Sequence, residues 1–236
     1  MQQHLPKPFQ DRTREAPIVV AGADGCRAGW VLATHEELRV VPRLDRAEIN
    51  GISVLGVDMP IGLPIDARRA CDVEARRALG LRGSSVFPTP PRACLGTATH
   101  AAAVERARAA FGSGISIQAF HLLPKIAEVD ALVDPREPDR VIEVHPELSF
   151  ATMRRLRTGD LSPLPRKAEP AGLTARRQLL AREGIEVRPT PRGAKPDDVL
   201  DAYAVFWSAE RFARGDALVL GDGSRDARGL PMRIIA

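Results

Sequence analysis

Five carboxylates stand where a folded chain would bring acids together. Asp24 ends the β-branched run IVVAGAD, Asp58 ends SVLGVD, and Glu143 lies near the end of RVIEV. Asp198 and Asp201 sit three apart in PDDVLDA, so they share a helix face. Open α/β sheets gather their sites at the carboxyl ends of strands. Like charges a few ångströms apart raise one another's pKa unless a cation lies between them. All-oxygen ligation selects hard ions, so the set points to Mg²⁺ or Mn²⁺ rather than zinc. Two such ions about 3.5–4 Å apart can activate a water and stabilise a leaving oxygen in phosphodiester cleavage. Each acid alone has a plainer role. Asp forms turns, and acids in a first helical turn answer the helix dipole. The joint pattern carries the expectation.

The elements that must position these acids follow from hydrophobic periodicity. Residues 18–24 read as a buried strand with Asp24 at its end. Residues 29–33 and 37–41 read as two further strands in an antiparallel meander. A short helix is expected over 44–50, stopped by Gly51, then a strand over 53–58. Residues 66–79 read as a helix stopped by Gly80, 82–91 as a loop, and 99–111 as an Ala/Arg-rich helix. Ile117, Phe120, Leu123, Ile126 and Val129 mark another helical face, with Pro124 bending it or starting a new turn. Strand character returns at 140–144, followed by helices over 147–156, 173–182 and 196–213. The loop between 158 and 171 holds three Pro and could be mobile. Val219-Leu220 and residues 232–235 suggest a closing edge hairpin. The alternation specifies an α/β layer architecture.

Composition bounds the rest. The chain has 236 residues and a net charge of +4, from 34 Lys+Arg against 30 Asp+Glu. Only four of those cations are Lys, and the field of +4 over this length is weak. No apolar run approaches the ~18 residues of a membrane span. Residues 1–16 are polar, without the apolar core of a secretory signal, and read as a frayed tail. Cys26, Cys71 and Cys94 are odd in number and have no metal-binding spacing, which fits a reducing cytoplasm. Trp30 and Trp207 are expected in the core. Interleaved aromatics of the kind that stack single strands are missing, so nucleic acid would be held by its backbone.

The segments GADGCRAGW, VDMPIGLP, CDVEARRALG, RGSSVFP, IQAFHLLPKIAEVDALV, EVHPELSF and DDVLDAYAVFWSAER resemble the DUF429 family. The likeness runs from about Val19 to the closing RDARGLPMRII. That family is described as predicted nucleases with a ribonuclease H-like fold. The resemblance implies a mixed five-stranded central sheet, helices on both faces, and a helical insertion at about 62–135, all within one domain over 17–236. It implies a nuclease using Mg²⁺ or Mn²⁺ on DNA or RNA. Asp24, Asp58 and Asp201 would hold the metal, with Asp198 and Glu143 completing the catalytic group. The family's Ser-Lys-Lys-type stretch is replaced here by SPLPRKAEPAG, with Lys167 as the best counterpart and Arg166 beside it.

Several other residues are candidates for substrate contact. Arg82, Ser84 and Ser85 lie in a Gly-containing loop that could cradle a phosphate or simply link helices. Lys125 could reach the carboxylates or a phosphate, or lie on a solvated helix face. His145 could shuttle protons, contact phosphate, or serve structure before Pro146. Glu147 could cap a helix dipole. Two alternatives to a nuclease remain: a non-catalytic module binding nucleic acid or nucleotide, and a phosphotransferase of the actin and sugar-kinase type. The single copy of the fold and the absence of a clear second Gly-rich phosphate loop argue against the phosphotransferase.

Overall fold

In the computed structural model, which describes residues 18–236, the chain enters on β1 (Val20–Cys26). The expected tail over 1–16 lies outside the described residues. β1 turns back through β2 (Gly29–Ala33) and β3 (Leu38–Val41) as the antiparallel meander expected. On the other side of β1, β4 (Val54–Val57) and β5 (Val141–Glu143) add in parallel. The order β3-β2-β1-β4-β5 makes a mixed five-stranded sheet.

Two local expectations fail. β1 does not end at Asp24. Its hairpin register pairs Asp24 with Val31, Gly25 with Trp30 and Cys26 with Gly29, so the strand outruns its parallel partner β4. Residues 44–50 form turns rather than a helix. The Asp45 carboxylate accepts from the N–H groups of Ala47 and Glu48, a local bond that competes with helix formation.

The stretch between β4 and β5 carries α1 (Ala70–Leu79), α2 (His100–Phe111) and α3 (Ile117–Leu132). α1 starts four residues later than expected because the chain is still extended at Arg69. The expected loop after Gly80 opens with a 3-10 helix over Gly80–Ser85. Pro124 sits inside α3 without breaking it. After β5 come α4 (Pro146–Thr158), α5 (Pro170–Arg182) and α6 (Pro196–Ala213). All three carry Pro in the first turn, where its missing N–H costs nothing. A short ladder of β6 (Val219–Leu220) and β7 (Ile234–Ile235) follows, and Ile235 bridges to Val144 just past β5.

Alternate sheet residues face two layers. Ala21, Ala23, Trp30, Leu32, Leu55 and Val57 pack against Leu123, Ile126 and Val129 of α3. On the other face, Val31 and Ala33 meet Ala202, Tyr203 and Phe206 of α6, with Phe150 of α4 and Leu180 of α5 beside them. Ile142 meets Val205 and Ala209 of α6. Two glycines bring α6 down onto the sheet. A Cβ on Gly22 would stand 2.2 Å from the Phe206 nitrogen and 2.3 Å from the Ala202 oxygen. One on Gly56 would stand 2.8 Å from a Val205 methyl. Trp30 and Trp207 are buried, their ring N–H groups donating to Glu128 at 2.9 Å and Glu183 at 3.0 Å. The three cysteines are buried and free. Among the described residues no helix is long and apolar enough to cross a membrane.

Candidate active site

The close approach of α6 sets the geometry of the acids. Asp24 lies two residues beyond Gly22, and Asp58 two beyond Gly56, so both share the α6 face of the sheet. The parallel register pairs Gly22 with Gly56 and Ala23 with Val57. The Asp58 N–H then donates to the Ala23 oxygen at 3.1 Å, which leaves Asp24 and Asp58 side by side on adjoining chains. Like charges in that relation destabilise a sheet. Asp201 arrives from the opening turns of α6, next to the Ala202 whose carbonyl faces Gly22.

Electrostatics binds the three together. Burial, then the charges of Asp58 and Asp201, hold the Asp24 carboxyl well above the usual carboxylate range. Burial raises Asp58 as well, opposed by His145, Lys167 and a hydrogen bond with Asp24. Asp201 is pushed up to about 6 by burial, against the pull of Lys167. Lys167 comes from the loop between α4 and α5, and its Nζ donates to Asp201 Oδ2 at 2.7 Å. Its side chain is 52% exposed, whereas that of Asp201 is 6% exposed. The ammonium is raised above its ordinary range by Asp201, Asp24 and Asp58, which outweigh its own desolvation.

Two of the five expected acids take other places. Asp198 caps α6, its Oδ2 accepting from the Lys195 N–H at 2.8 Å; among the charges acting on Asp24 it ranks last. Glu143 has the parity of Val141, which packs on the α3 side of the sheet; it lines a small pocket with Asp58, but its carboxylate is taken up by Arg69. It accepts two hydrogen bonds from the Arg69 guanidinium, at 2.6 and 2.8 Å, and one from the Ile61 N–H at 2.8 Å. Asp72 pairs with the same guanidinium and accepts from the Thr89 N–H at 3.1 Å. Arg69 is 2% exposed.

Beside the three acids opens a cleft of about 340 Å³ whose walls include Asp58 and Asp201. Arg82, Ser85, His145 and Lys167, four of the expected substrate residues, line it with Glu147 and Arg176. Arg82 also donates to the Leu164 carbonyl, and the Ser85 hydroxyl donates to the Arg82 carbonyl at 2.8 Å. Glu147 pairs with the buried Arg176 at 2.6 Å. Two buried nitrogens at this wall have no partner among the described residues: His145 Nδ1 and Arg176 Nε. His145 Nε2 lies 3.4 Å from the Ser85 carbonyl oxygen. Ser84 is exposed and does not line the cleft. Lys125 reaches the other side of β1, against Gly25, where its ammonium donates to the Gly29 carbonyl and lies 4.4 Å from the Trp30 ring centre.

The donor chemistry of Asp24, Asp58 and Asp201 fits a hard cation, since oxygen-only ligands suit Mg²⁺ and Mn²⁺. The spacing as it stands is looser than a coordination shell. Among the described residues no group of three or more His, Cys, Asp or Glu side chains stands ready to hold a metal ion. The positive charge at the acids is the Lys167 ammonium.

Arg69 and Arg176 escape the sequence reading because their partners Glu143 and Glu147 lie 74 and 29 residues away and thirty Arg offer no contrast. A usable signal does exist. Asp24 and Asp58 each follow a glycine by two residues, which marks the face where a helix packs closely. Glu143 follows Val141 instead.

No curated protein and no solved structure matches the chain. Residues 22–225 do match a family described as "Protein of unknown function (DUF429)". The match covers most of the chain, from the strand that carries Asp24 to past the helix that carries Asp201, and the protein therefore belongs to the DUF429 family.

Proposed function

We propose that the protein is a nuclease dependent on Mg²⁺ or Mn²⁺, hydrolysing phosphodiester bonds in DNA or RNA on a ribonuclease H-like fold. The observation that carries this reading is the convergence of Asp24, Asp58 and Asp201 from three distant elements beside a cation-lined cleft. The strand order supports the fold assignment, with parallel β1, β4 and β5 and an antiparallel meander on one side.

In this reading Asp24, Asp58 and Asp201 hold the metal. A divalent cation bound there supplies Lewis acidity toward a phosphoryl group. Arg82 and Arg176 bring cationic charge to the cleft wall, where a phosphate backbone would lie. His145 offers an unpaired Nδ1 beside Asp58, placed to carry a proton or a phosphate oxygen. In this reading Glu143 and Asp198 serve structure, through Arg69 and the cap of α6.

The test is cleavage of single-stranded, duplex and branched DNA and RNA with Mn²⁺. Asp24→Asn and Asp201→Asn should each abolish cleavage while leaving the protein folded by circular dichroism. Full activity in either variant overturns the assignment.

One observation favours a second reading. Lys167 already neutralises Asp201, as in a site that needs no metal. A non-catalytic module that binds nucleic acid or nucleotide through the same cleft would show phosphate-dependent binding without any Mn²⁺ requirement.

A further inference from the structure

The cleft beside the acids has two unlike ends. Asp58 and His145 also border the small pocket next to Arg69, whereas Arg82 and Glu147 border a neighbouring groove lined by Leu79 and Leu164. Of the three acids on the cleft wall, Glu147 is spent on Arg176 at 2.6 Å and Asp201 on Lys167 at 2.7 Å. The third, Asp58, belongs to the end away from Arg82. The Arg82 end is rich in donors. A guanidinium has five N–H groups, and Arg82 gives one of its nitrogens to the Leu164 carbonyl. The Ser85 hydroxyl stands 2.8 Å from the Arg82 carbonyl. α4 begins at this wall with Pro146, and the first N–H groups of a helix find no partner inside it, so its N-terminus brings partial positive charge to the cleft. Arg176 backs the same wall and is 1% exposed. The Pro165 and Gly172 carbonyls and Glu147 hold its terminal nitrogens, while its Nε has no partner among the described residues. A buried donor without a partner costs about 1–3 kcal/mol, which marks a wall shaped for a ligand rather than for stability. The volume of about 340 Å³ lies at the low end of the ~300–1,000 Å³ of small-ligand pockets, which suits one phosphorylated unit better than a run of backbone. A terminal phosphomonoester carries about −1.5 to −2 charges near pH 7 and three strong acceptor oxygens, against the single charge of an internal diester.

Resting on the reading of the substrate as nucleic acid, we propose that the Arg82 end of the cleft anchors a terminal phosphomonoester, the phosphorylated end of a DNA or RNA strand. The anchor needs no metal. Arg82, Ser85 and the N-terminus of α4 meet the phosphate oxygens, and Arg176 supplies fixed positive charge behind them. A strand held by its end lies with its first linkage toward Asp58 and Asp201, so the protein acts from ends rather than within a strand. Anchoring involves no covalent step.

The experiment is calorimetric titration of the full chain in EDTA, which prevents metal-dependent cleavage. The probes are one short single-stranded oligonucleotide with a 5′ phosphate, a 3′ phosphate or neither, a mononucleotide, and inorganic phosphate. One phosphorylated form should bind about tenfold more tightly than the bare strand, the gain expected of charge-assisted hydrogen bonds, and inorganic phosphate should compete that gain away. Arg82→Met should bring the phosphorylated strands down to the bare one. Ser84→Ala, outside the cleft, should keep the preference. A mononucleotide that binds more weakly than the phosphorylated strand assigns the anchor to strand ends; one that binds as tightly supports the phosphomonoester chemistry and assigns it to free nucleotides. Equal affinity for all three oligonucleotides in wild type overturns the anchor, as does a preference that persists in folded Arg82→Met. Cleavage with Mn²⁺ separates this inference from the nuclease reading. Cutting of circular single-stranded DNA without any end preference in binding overturns the anchor and leaves the nuclease standing. An end preference in binding with no cleavage of any substrate keeps the anchor and overturns the nuclease.

Discussion

Two groups of acids lie at the sheet's carboxyl end, and they are neutralised in different ways. Glu143 and Asp72 close on the Arg69 guanidinium, which also donates to the Ile61 carbonyl at 2.9 Å. Every partner there is buried, and the fork satisfies two carboxylates at once. Asp24, Asp58 and Asp201 share, among the described residues, one direct ion pair, from Asp201 to the half-exposed point charge of Lys167. The first group ties the segment after β4 to α1 and β5. The second keeps like charges together that would be more stable apart. The acids on Arg69 are matched in place by geometry, whereas Asp24, Asp58 and Asp201 are held together with less neutralisation.

That contrast can be broken most strongly at Arg69. Arg69→Met leaves two buried carboxylates without their partner and should cost about 3–5 kcal/mol, the usual penalty for stranding a buried charge. Urea unfolding measures it; a loss below ~1 kcal/mol would mean the pairing is not the anchor described.

Next comes the spacing between α6 and the sheet. Gly22→Ala drives a methyl into the α6 backbone and should cost roughly 1–3 kcal/mol as overpacking. Mn²⁺ affinity should fall in parallel, because Asp201 moves away from Asp24. Gly51→Ala, at a turn glycine with open space around it, serves as the control for backbone strain alone.

Asp24→Asn should act in the opposite direction. It removes a carboxylate that burial and two neighbours disfavour as an anion, so the metal-free protein should gain on the order of 0.5–2 kcal/mol at neutral pH. A measured loss would show that Asp24 is as well matched as Glu143.

The last effect is a pH slope. Asp201 is raised to about 6, above the unfolded value near 3.8, so the folded state holds its proton more firmly. Stability from this group is full below about pH 4 and is lost as pH rises through about 6. Asp201→Asn should flatten that part of the metal-free stability profile. An unchanged slope would assign it to another group.

Much of this was legible beforehand. Pro196, the acids beside it and Arg211 bounded α6 correctly, because caps and dipole partners are local signals. The β2 strand and the meander followed from β-branched runs separated by turns. The failures were of two kinds. At 44–50 a side chain of the segment itself competed with its backbone, and hydrophobic spacing does not register such a bond. At Glu143 the position along the strand is legible, but its partner Arg69 is not. A shift of one residue reverses the face, and only the neighbouring Val141 and Gly56 distinguish the two sides. Arg69 was invisible because Glu143 lies 74 residues away along the chain. The likeness to DUF429 supplied Lys167 as a place in a motif, without its partner Asp201.

The glycine contact between β1 and α6 also has a consequence in time. Gly22 lies near the start of the described chain and its partners Ala202 and Phe206 near the end. During synthesis the sheet's hairpin can form long before the helix that completes the acid group exists. A chain still emerging, or one cut before residue 196, presents Asp24 and Asp58 without Asp201. Contacts of this sequence span close a long loop and carry its entropy cost, and only the docking of α6 brings Asp201 to the strands that lead to Asp24 and Asp58.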